Sequence, residues 1–158
     1  MYGLSPILFN SVSFTTNSLG KNDPNVGDVA RDGDEHYLFI YNNGNSVIKT
    51  GDGVIVSAVS GYSVTISSTT GVDVLVGVCK HASINTGYYG YVVTKGWSQV
   101  NMGADFSAAA GAMLILAADG KFTAKTCATG YAGAGLVKTM EAIASGASGT
   151  AYVSVCGV

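Results

Sequence analysis

Short runs of β-branched and aromatic residues, separated by turns rich in glycine and asparagine, follow one another along the chain after residue 35. Runs of this composition favour strands, and glycine or asparagine at their ends favours tight turns. Their spacing of about ten residues is typical of antiparallel sandwiches and barrels. The pattern therefore predicts an all-β fold, a small antiparallel β-sandwich or barrel with little helix. The first predicted strands are His36–Tyr41, Ser46–Lys49, Val54–Val59, Tyr62–Ser67 and Val72–Cys79.

The second half of the chain continues this pattern. Its only segments that would permit a helix are the alanine-rich Asp105–Ala112 and Met140–Ser148, and both are short and interrupted by glycine. Isolated helices of that length are unstable, so we predict turns in both places. Between them, Asp119 and Gly120 predict a two-residue hairpin turn, because such a turn needs left-handed backbone conformations.

The first 28 residues differ from the rest, since they hold both prolines and show neither helical nor strand periodicity. We predict an extended N-terminal arm over residues 1–28, with the turn-rich segment Gly20–Asp28 as a hinge, and a single β-rich body over residues 29–158. An isolated arm cannot offset the entropy of its own ordering, so its apolar residues must pack on the body or on a neighbour. These apolar residues are Tyr2, Leu4, Ile7, Leu8, Phe9 and Phe14.

Charged residues make up only 11% of the chain, and the formal net charge is −2. Nucleic-acid binding needs clustered Lys and Arg to replace counterions, so we expect no nucleic-acid partner. The longest apolar run, Ala108–Ala118, is far shorter than the roughly 20 residues of a membrane helix, so we expect no membrane partner. The N-terminus lacks the pattern of a secretory leader and is expected to belong to the mature protein. Few charges and open strand edges favour self-association.

No catalytic, cofactor or metal site is predicted. His36 and His81 are accompanied by no serine elbow and no zinc-ligand spacing, so they are expected at the surface or at strand edges. The acidic cluster Arg31–Glu35 fails the EF-hand pattern when counted from Asp32, and we interpret it as a solvated turn. Three widely spaced cysteines, Cys79, Cys127 and Cys156, are expected to be buried, reduced thiols.

Six aromatic residues leave two interpretations open. They could stack on sugar rings, which would suit a secreted sugar-binding β-sandwich, but aromatic residues at strand spacing more often belong to a core or to a subunit interface. The six are Tyr62, Tyr88, Tyr89, Tyr91, Trp97 and Tyr131.

One phrase of the sequence occurs twice, as GVCKHASINTGYYGYVV from Gly77 and as GLVKTMEAIASGASGTAYVSV from Gly135. Each copy has a lysine three residues after its first glycine, and later an isoleucine followed three residues on by a second glycine. We interpret the copies as two equivalent strand-turn-strand units. Gly87 and Gly146 would mark the turns, and Lys80 and Lys138 would lie at solvent-facing strand positions.

Three phrases of the second half stand in a fixed order, VGVCKHASINTGYYGYVVTKG (Val76–Gly96), AAGAMLILAADGKFTA (Ala109–Ala124) and GLVKTMEAIASGASGTAYVSV (Gly135–Val155). Together they resemble the small decoration, or cement, proteins that bind the outside of tailed-bacteriophage capsids. The resemblance implies a β-rich homotrimer that contacts the major capsid protein and lays its N-terminal segment on the shell. It implies a non-enzymatic virion protein, assembled in the host bacterial cytoplasm and located on the capsid exterior, that stabilises the expanded head.

Other functions remain open at this point. The chain could be another virion component, such as a head-fibre, tail-tube or adhesin subunit, although it lacks the tandem shaft repeats usual in fibres. The weakest alternative is a hydrolase or lyase whose site is assembled from distant residues.

Overall fold

A computed structural model describes residues 24–57, 62–66, 74–81, 83–124 and 136–155. These residues form strands and turns, with one 3-10 turn at Ala118–Gly120 as their helical element, so the predicted all-β class is confirmed. The predicted arm, apart from residues 24–28, lies outside the described residues. The strands are β1 (Val29–Asp32), β2 (Glu35–Asn42), β3 (Gly53–Val56), β4 (Ser63–Ile66), β5 (Leu75–Val78), β6 (Tyr89–Asn101), β7 (Met113–Leu116), β8 (Phe122–Ala124), β9 (Leu136–Thr139) and β10 (Ser148–Ser154).

Five strands close into a first barrel in the order β2-β4-β3-β5-β6 and back to β2. Four of the five pairings are antiparallel, as predicted, but β2 and β4 pair in parallel through Tyr41 with Ser63 and Asn42 with Val64. The parallel pair closes the ring, because β4 returns beside β2 after the β3–β4 hairpin. Side chains that point inward from these strands and from the segments between them fill the interior. They are Leu38, Ile40, Ile48, Val54, Val64, Val76, Cys79, Ile84 and Val92.

Before four of the strands the chain makes the same turn. A buried residue forms an isolated β-bridge, and the third residue after it is a glycine with positive φ, which L side chains rarely adopt. Ile48 bridges Ile84, and Ala108 bridges Ile143. The glycines that follow have φ of 88°, 78°, 77° and 67° in chain order, and they are Gly51, Gly87, Gly111 and Gly146. The predicted turns at Gly87 and Gly146 are therefore confirmed.

The second half of the structure repeats the first, about 60 residues further along the chain. Strands β7, β8, β9 and β10 pair as β3, β4, β5 and β6 do, in the order β8-β7-β9-β10 against β4-β3-β5-β6. The Lys95–Asn101 part of β6 pairs with β10 as β2 pairs with the first part of β6. Equivalent backbone bonds have equal lengths, since Asn42 N–H donates to Tyr88 O and Met102 N–H to Ala147 O, both at 2.9 Å.

A parallel contact also closes the second ring. Met102 and Phe122 form a parallel bridge, and Gly103 N–H donates to Phe122 O at 3.0 Å, where the first barrel has the β2–β4 pair. The described residues thus build two barrels in tandem that share β6. β1 adds a hairpin to the outer edge of β2.

The repeat predicted from the sequence exists, but the predicted alignment of its two copies is wrong at their start. Gly51 N–H donates to Cys79 O at 2.7 Å, and Gly111 N–H donates to Thr139 O at 2.9 Å, so Cys79 corresponds to Thr139. Lys80 therefore corresponds to Met140 and not to Lys138. Lys138 lies exposed on β9, as predicted, whereas Lys80 follows β5 and is half-buried.

Three local predictions have clear outcomes. The strand predicted at Ser46–Lys49 is wrong, because only Ile48 bridges there and the next residues form the turn. The hairpin turn at Asp119 and Gly120 is confirmed, with φ of 58° and 69° and Lys121 N–H donating to Ala118 O at 3.2 Å. Both alanine-rich segments form turns and bridges, also as predicted.

Candidate functional site

Four polar and aromatic side chains meet at the junction of the two barrels. Glu35 begins β2, and its carboxylate accepts both hydrogen bonds of the Lys80 ammonium, at 2.5 and 2.6 Å. The Tyr37 hydroxyl donates to the same carboxylate, and His81 Nε2 lies 3.2 Å from that hydroxyl. The Trp97 backbone N–H also donates to Glu35. We call Glu35, Tyr37, Lys80 and His81 the junction cluster.

The ionisation of the junction cluster follows from burial and charge. Burial by itself would raise the pKa of Glu35, but hydrogen bonds from Lys80 and Tyr37 and the Lys80 charge outweigh it and lower this pKa. Burial, together with the Glu35 carboxylate, raises the pKa of Tyr37 well above its ordinary value. Burial and the nearby Lys80 charge lower the pKa of His81. The carboxylate is thus held ionised and the phenol protonated at neutral pH, which suits a structural clamp.

The junction cluster corrects two sequence interpretations. Residues 31–34 are exposed, as predicted, but only Gly33 and Asp34 form the turn, since Arg31 and Asp32 end β1. Glu35 begins β2 and forms the ion pair with Lys80. His81 is half-buried against Tyr37, with ring centroids 5.6 Å apart.

Acid should weaken this junction. Because the folded-state pKa of Glu35 lies below its unfolded value, its contribution to stability is complete above pH 4.5 and is lost as the pH falls through the folded pKa. Glu35→Gln should therefore remove part of the acid sensitivity of the free energy of unfolding between about pH 5 and 3. Urea unfolding at several pH values measures this. His81→Gln serves as the control, since its effect belongs near pH 6.5. An unchanged slope below pH 5 in Glu35→Gln contradicts the assignment.

A second polar group joins the barrels on the other side of β6. Asp52, 2% exposed, accepts from Lys121 Nζ at 2.6 Å and Asn101 Nδ2 at 2.9 Å through Oδ1, and from Lys49 N–H at 2.9 Å through Oδ2. Ser148 Oγ donates to Asn101 Oδ1 at 2.7 Å. Lys121 comes from the second barrel and Asp52 from the first.

An open cleft of about 400 Å³ lies over this second group. Two of its polar lining residues, Asp52 and Lys121, pair with each other. Every buried side-chain nitrogen or oxygen of the described residues has a hydrogen-bond partner, so no orphaned group there points to a ligand. Within the described ranges, no three His, Cys, Asp or Glu side chains are grouped to hold a metal ion. The Cys79 thiol is buried, and burial, with the Asp52 charge, raises its pKa to about 12, which keeps it unreactive.

The aromatic residues considered for sugar stacking have different environments. Tyr89 is buried and stacks on Phe39 with ring centroids 5.8 Å apart, and Tyr91 tilts against the same Phe39 ring at 4.9 Å. Tyr62 and Trp97 are exposed, at 44% and 45%. Tyr88 is half-buried, and Tyr131 lies outside the described residues. The interpretation as core is therefore correct for Tyr89.

Trp97 belongs to an uncovered row of side chains on the outer face of the second barrel. Trp97 pairs across strands with Tyr152, Tyr152 with Lys138, and Lys138 with Met113. The Trp97 and Tyr152 rings meet edge to face, with centroids 5.1 Å apart and an interplanar angle of 71°. Trp97 and Met113 are 45% and 37% exposed, and Lys138 is exposed. We call Met113, Lys138, Tyr152 and Trp97 the open row.

The first barrel has a corresponding row, which is covered. Gly53 pairs with Val78, Val78 with Val93, and Val93 with Tyr37. The three side chains are 0 to 2% exposed and share one core cluster with Leu116 and Phe122 of the second barrel. A Cβ atom at Gly53 would collide with Leu116 and Phe122, which shows how closely the second barrel packs there. We call Gly53, Val78, Val93 and Tyr37 the covered row.

The arm residues predicted to contact a capsid, Tyr2, Leu4, Ile7, Leu8, Phe9 and Phe14, lie outside the described residues.

Fold and sites together define a tandem double barrel whose polar clusters connect its two halves and whose second half presents one uncovered aromatic row. No protein-family model and no curated protein matches the chain. Within the described ranges, no helix is long and apolar enough to cross a membrane.

Proposed function

We propose that this chain is a structural protein of a bacteriophage virion. In this role it binds the outer surface of the capsid, contacts the major capsid protein and stabilises the expanded head. It acts as a homotrimer, without catalysing a reaction.

The observation that carries the proposal is the position in the sheet of the three sequence segments that resemble decoration proteins. They cover β5 with the start of β6, β7 with β8, and β9 with β10. These strands are neighbours in the order β5-β6-β10-β9-β7-β8. The likeness to decoration proteins therefore extends over one continuous part of the sheet, with its turns, and is not spread over unrelated segments.

The clusters at the barrel junction also support a role in surface contact. Asp52 is engaged in an ion pair with Lys121 that joins one barrel to the other, and Glu35 is engaged by Lys80 and by the Trp97 backbone of the shared strand β6. A rigid, charge-poor body of this kind suits a protein that works by mass action. Binding to the expanded shell alone stabilises that shell by the binding free energy, and several contacts per oligomer slow its loss.

Capsid binding can be measured directly. The full-length chain should co-sediment with expanded heads, and unlabelled chain added in excess should displace labelled chain from them. It should bind unexpanded heads at least about tenfold more weakly, which is a difference of roughly 1.4 kcal/mol in binding free energy. Removing residues 1–20 should lower binding to expanded heads by a similar factor, because the apolar arm is the predicted capsid contact. No binding of the full-length chain contradicts the proposed function, and unchanged binding of the shortened chain contradicts only the role of the arm.

A map of the virion separates the alternative virion roles. In such a map a tail-tube, head-fibre or adhesin subunit would be located away from the capsid lattice. A position on the lattice would support decoration of the head.

A further inference from the structure

The open row of the second barrel is the structural equivalent of the covered row of the first. Both rows cross four strands in the same order, through cross-strand pairs at matching positions of the repeat. The equivalent positions are Gly53 and Met113, Val78 and Lys138, Val93 and Tyr152, and Tyr37 and Trp97. In the first barrel this surface is covered by the second barrel of the same chain, and in the second barrel it is uncovered.

The residues that provide the cover have equivalents as well. Leu116 and Phe122, which pack on Gly53, are 4% and 0% exposed. The same repeat relationship makes Val56 of β3 equivalent to Leu116, and Val64 of β4, which is fully buried, equivalent to Phe122. Tyr62 lies at the same end of the first barrel as Val56, where Ser57 N–H donates to Ser63 O at 2.8 Å. Val56 and Tyr62 are 49% and 44% exposed. The second barrel therefore exposes the open row, and the first barrel exposes two apolar side chains at the end that corresponds to the covering end of the second barrel.

We propose that the open row binds a second copy of this chain, with Val56 and Tyr62 of one copy packing on Trp97 and Met113 of the next. In this contact Val56 takes the place that Leu116 has in the packing of the two barrels within one chain. It accounts for the exposure of the open row and of Val56 and Tyr62 at the end of the first barrel. It supplies surfaces for the self-association in the proposed function, but it does not depend on capsid binding.

The copy-to-copy contact lacks the Asp52–Lys121 ion pair of the internal one. Ala112 stands where the first barrel has Asp52, and Met140, 51% exposed, stands where it has Lys80. Lys138 replaces Val78 within the row and keeps its ammonium in water while its stem covers apolar surface. Association between copies is therefore weaker than the internal packing and depends on concentration.

Such an interface joins two different surfaces, so it is heterologous. Heterologous contacts close into a ring when the rotation permits and otherwise continue as a filament. A homotrimer built in this way would present six barrels in a ring.

Disulfide trapping between two variants tests the pairing. One variant carries Val56→Cys and the other Met113→Cys, both with Cys127 and Cys156 replaced by serine; buried Cys79 is left in place. After mixing and mild oxidation, a cross-linked dimer should form in the mixture at several times the yield from either variant alone. Val29→Cys, 52% exposed on β1, replaces Val56→Cys in the control mixture.

Two results would overturn the inference. One is a yield no higher than that of the Val29→Cys control. The other is efficient dimerisation of Met113→Cys alone, which would indicate a two-fold contact of the open row with itself. Because isolated protein is used, failure here leaves capsid binding untouched, and failure to bind heads leaves this result untouched.

Sedimentation of the natural sequence and of Trp97→Ser gives a second measurement. The variant should require at least about tenfold higher concentration to associate, whereas Val29→Ser should behave as the natural sequence does. Unchanged association of Trp97→Ser contradicts the inference. So does a loss of glycan or capsid binding in Trp97→Ser without a change in mass, because the row would then serve another occupant.

Discussion

Replacing Phe122 with alanine is expected to lower the free energy of unfolding by about 3–5 kcal/mol. Phe122 is fully buried, belongs to the core cluster that joins the two barrels, and forms the parallel bridge with Met102 that closes the second ring. Its loss would leave a cavity between Gly53 and Leu116 that the backbone of Gly53 cannot fill. Urea unfolding, followed by the fluorescence of Trp97, measures the change.

Tyr62 provides the matched control for Phe122. It is an aromatic residue that precedes β4, the strand equivalent to β8, but it is 44% exposed, so Tyr62→Ala should cost less than about 1 kcal/mol. Both variants are compared at low protein concentration, where association between copies contributes least. Equal losses in the two variants would contradict the assigned difference between the covered and open surfaces.

The parts of the fold that sequence reasoning predicted depend on local chemistry. The aromatic and β-branched run His36–Tyr41 predicted β2, which runs from Glu35 to Asn42, because such side chains favour the extended backbone of a strand. Asp119 and Gly120 gave the hairpin turn because few other residue pairs adopt two left-handed conformations in succession.

The parts that it missed depend on contacts between distant residues. Ser46–Lys49 has strand composition, but within it only Ile48 forms a β-bridge, and its partner Ile84 is distant in the sequence. The parallel pairing of β2 with β4 follows from ring closure, which no local pattern encodes. In the same way, the 13 residues of β6 look like one strand although they serve two barrels.

The site was harder to predict than the fold for the same reason. Glu35 and Lys80 are 45 residues apart, and only the closed barrel brings them together. The glycine and lysine shared by the two copies suggested an alignment of Gly77 with Gly135. The backbone hydrogen bonds show that the correct alignment differs from it by two residues. A search for an isoleucine followed by glycines three and six residues later, as in Ile84 and Ile143, could have found the correct register.

Some of the differences between the two barrels lie where they meet. The bridge residues Ile84 and Ile143 keep their character, since both are buried isoleucines. Positions at the junction change from one unit to the other, as Asp52 does to Ala112. Identical barrels would have identical surfaces, so these differences make the internal contact stronger than a contact between copies.

Asp52 is expected to make the largest polar contribution to the internal contact between the barrels. Asp52→Ala removes the acceptor of Lys49 N–H, Asn101 Nδ2 and Lys121 Nζ together, and it should lower the free energy of unfolding by about 2–3 kcal/mol. Lys121→Ala should cost less, about 1 kcal/mol, because the lysine is 29% exposed and Asp52 keeps its other two donors.

A variant with both substitutions shows whether Asp52 and Lys121 stabilise the junction as a pair or independently. With Asp52 absent, Lys121 can turn into water, so Asp52→Ala with Lys121→Ala should be about as stable as Asp52→Ala alone. The difference from additivity, measured by urea unfolding of all four proteins, is the coupling across the barrel junction. Asp105→Ala, at an exposed carboxylate in a turn of the second barrel, is the control and should change stability by less than about 0.5 kcal/mol. Additive losses would show that Asp52 and Lys121 act separately, and the junction would then depend on apolar packing alone.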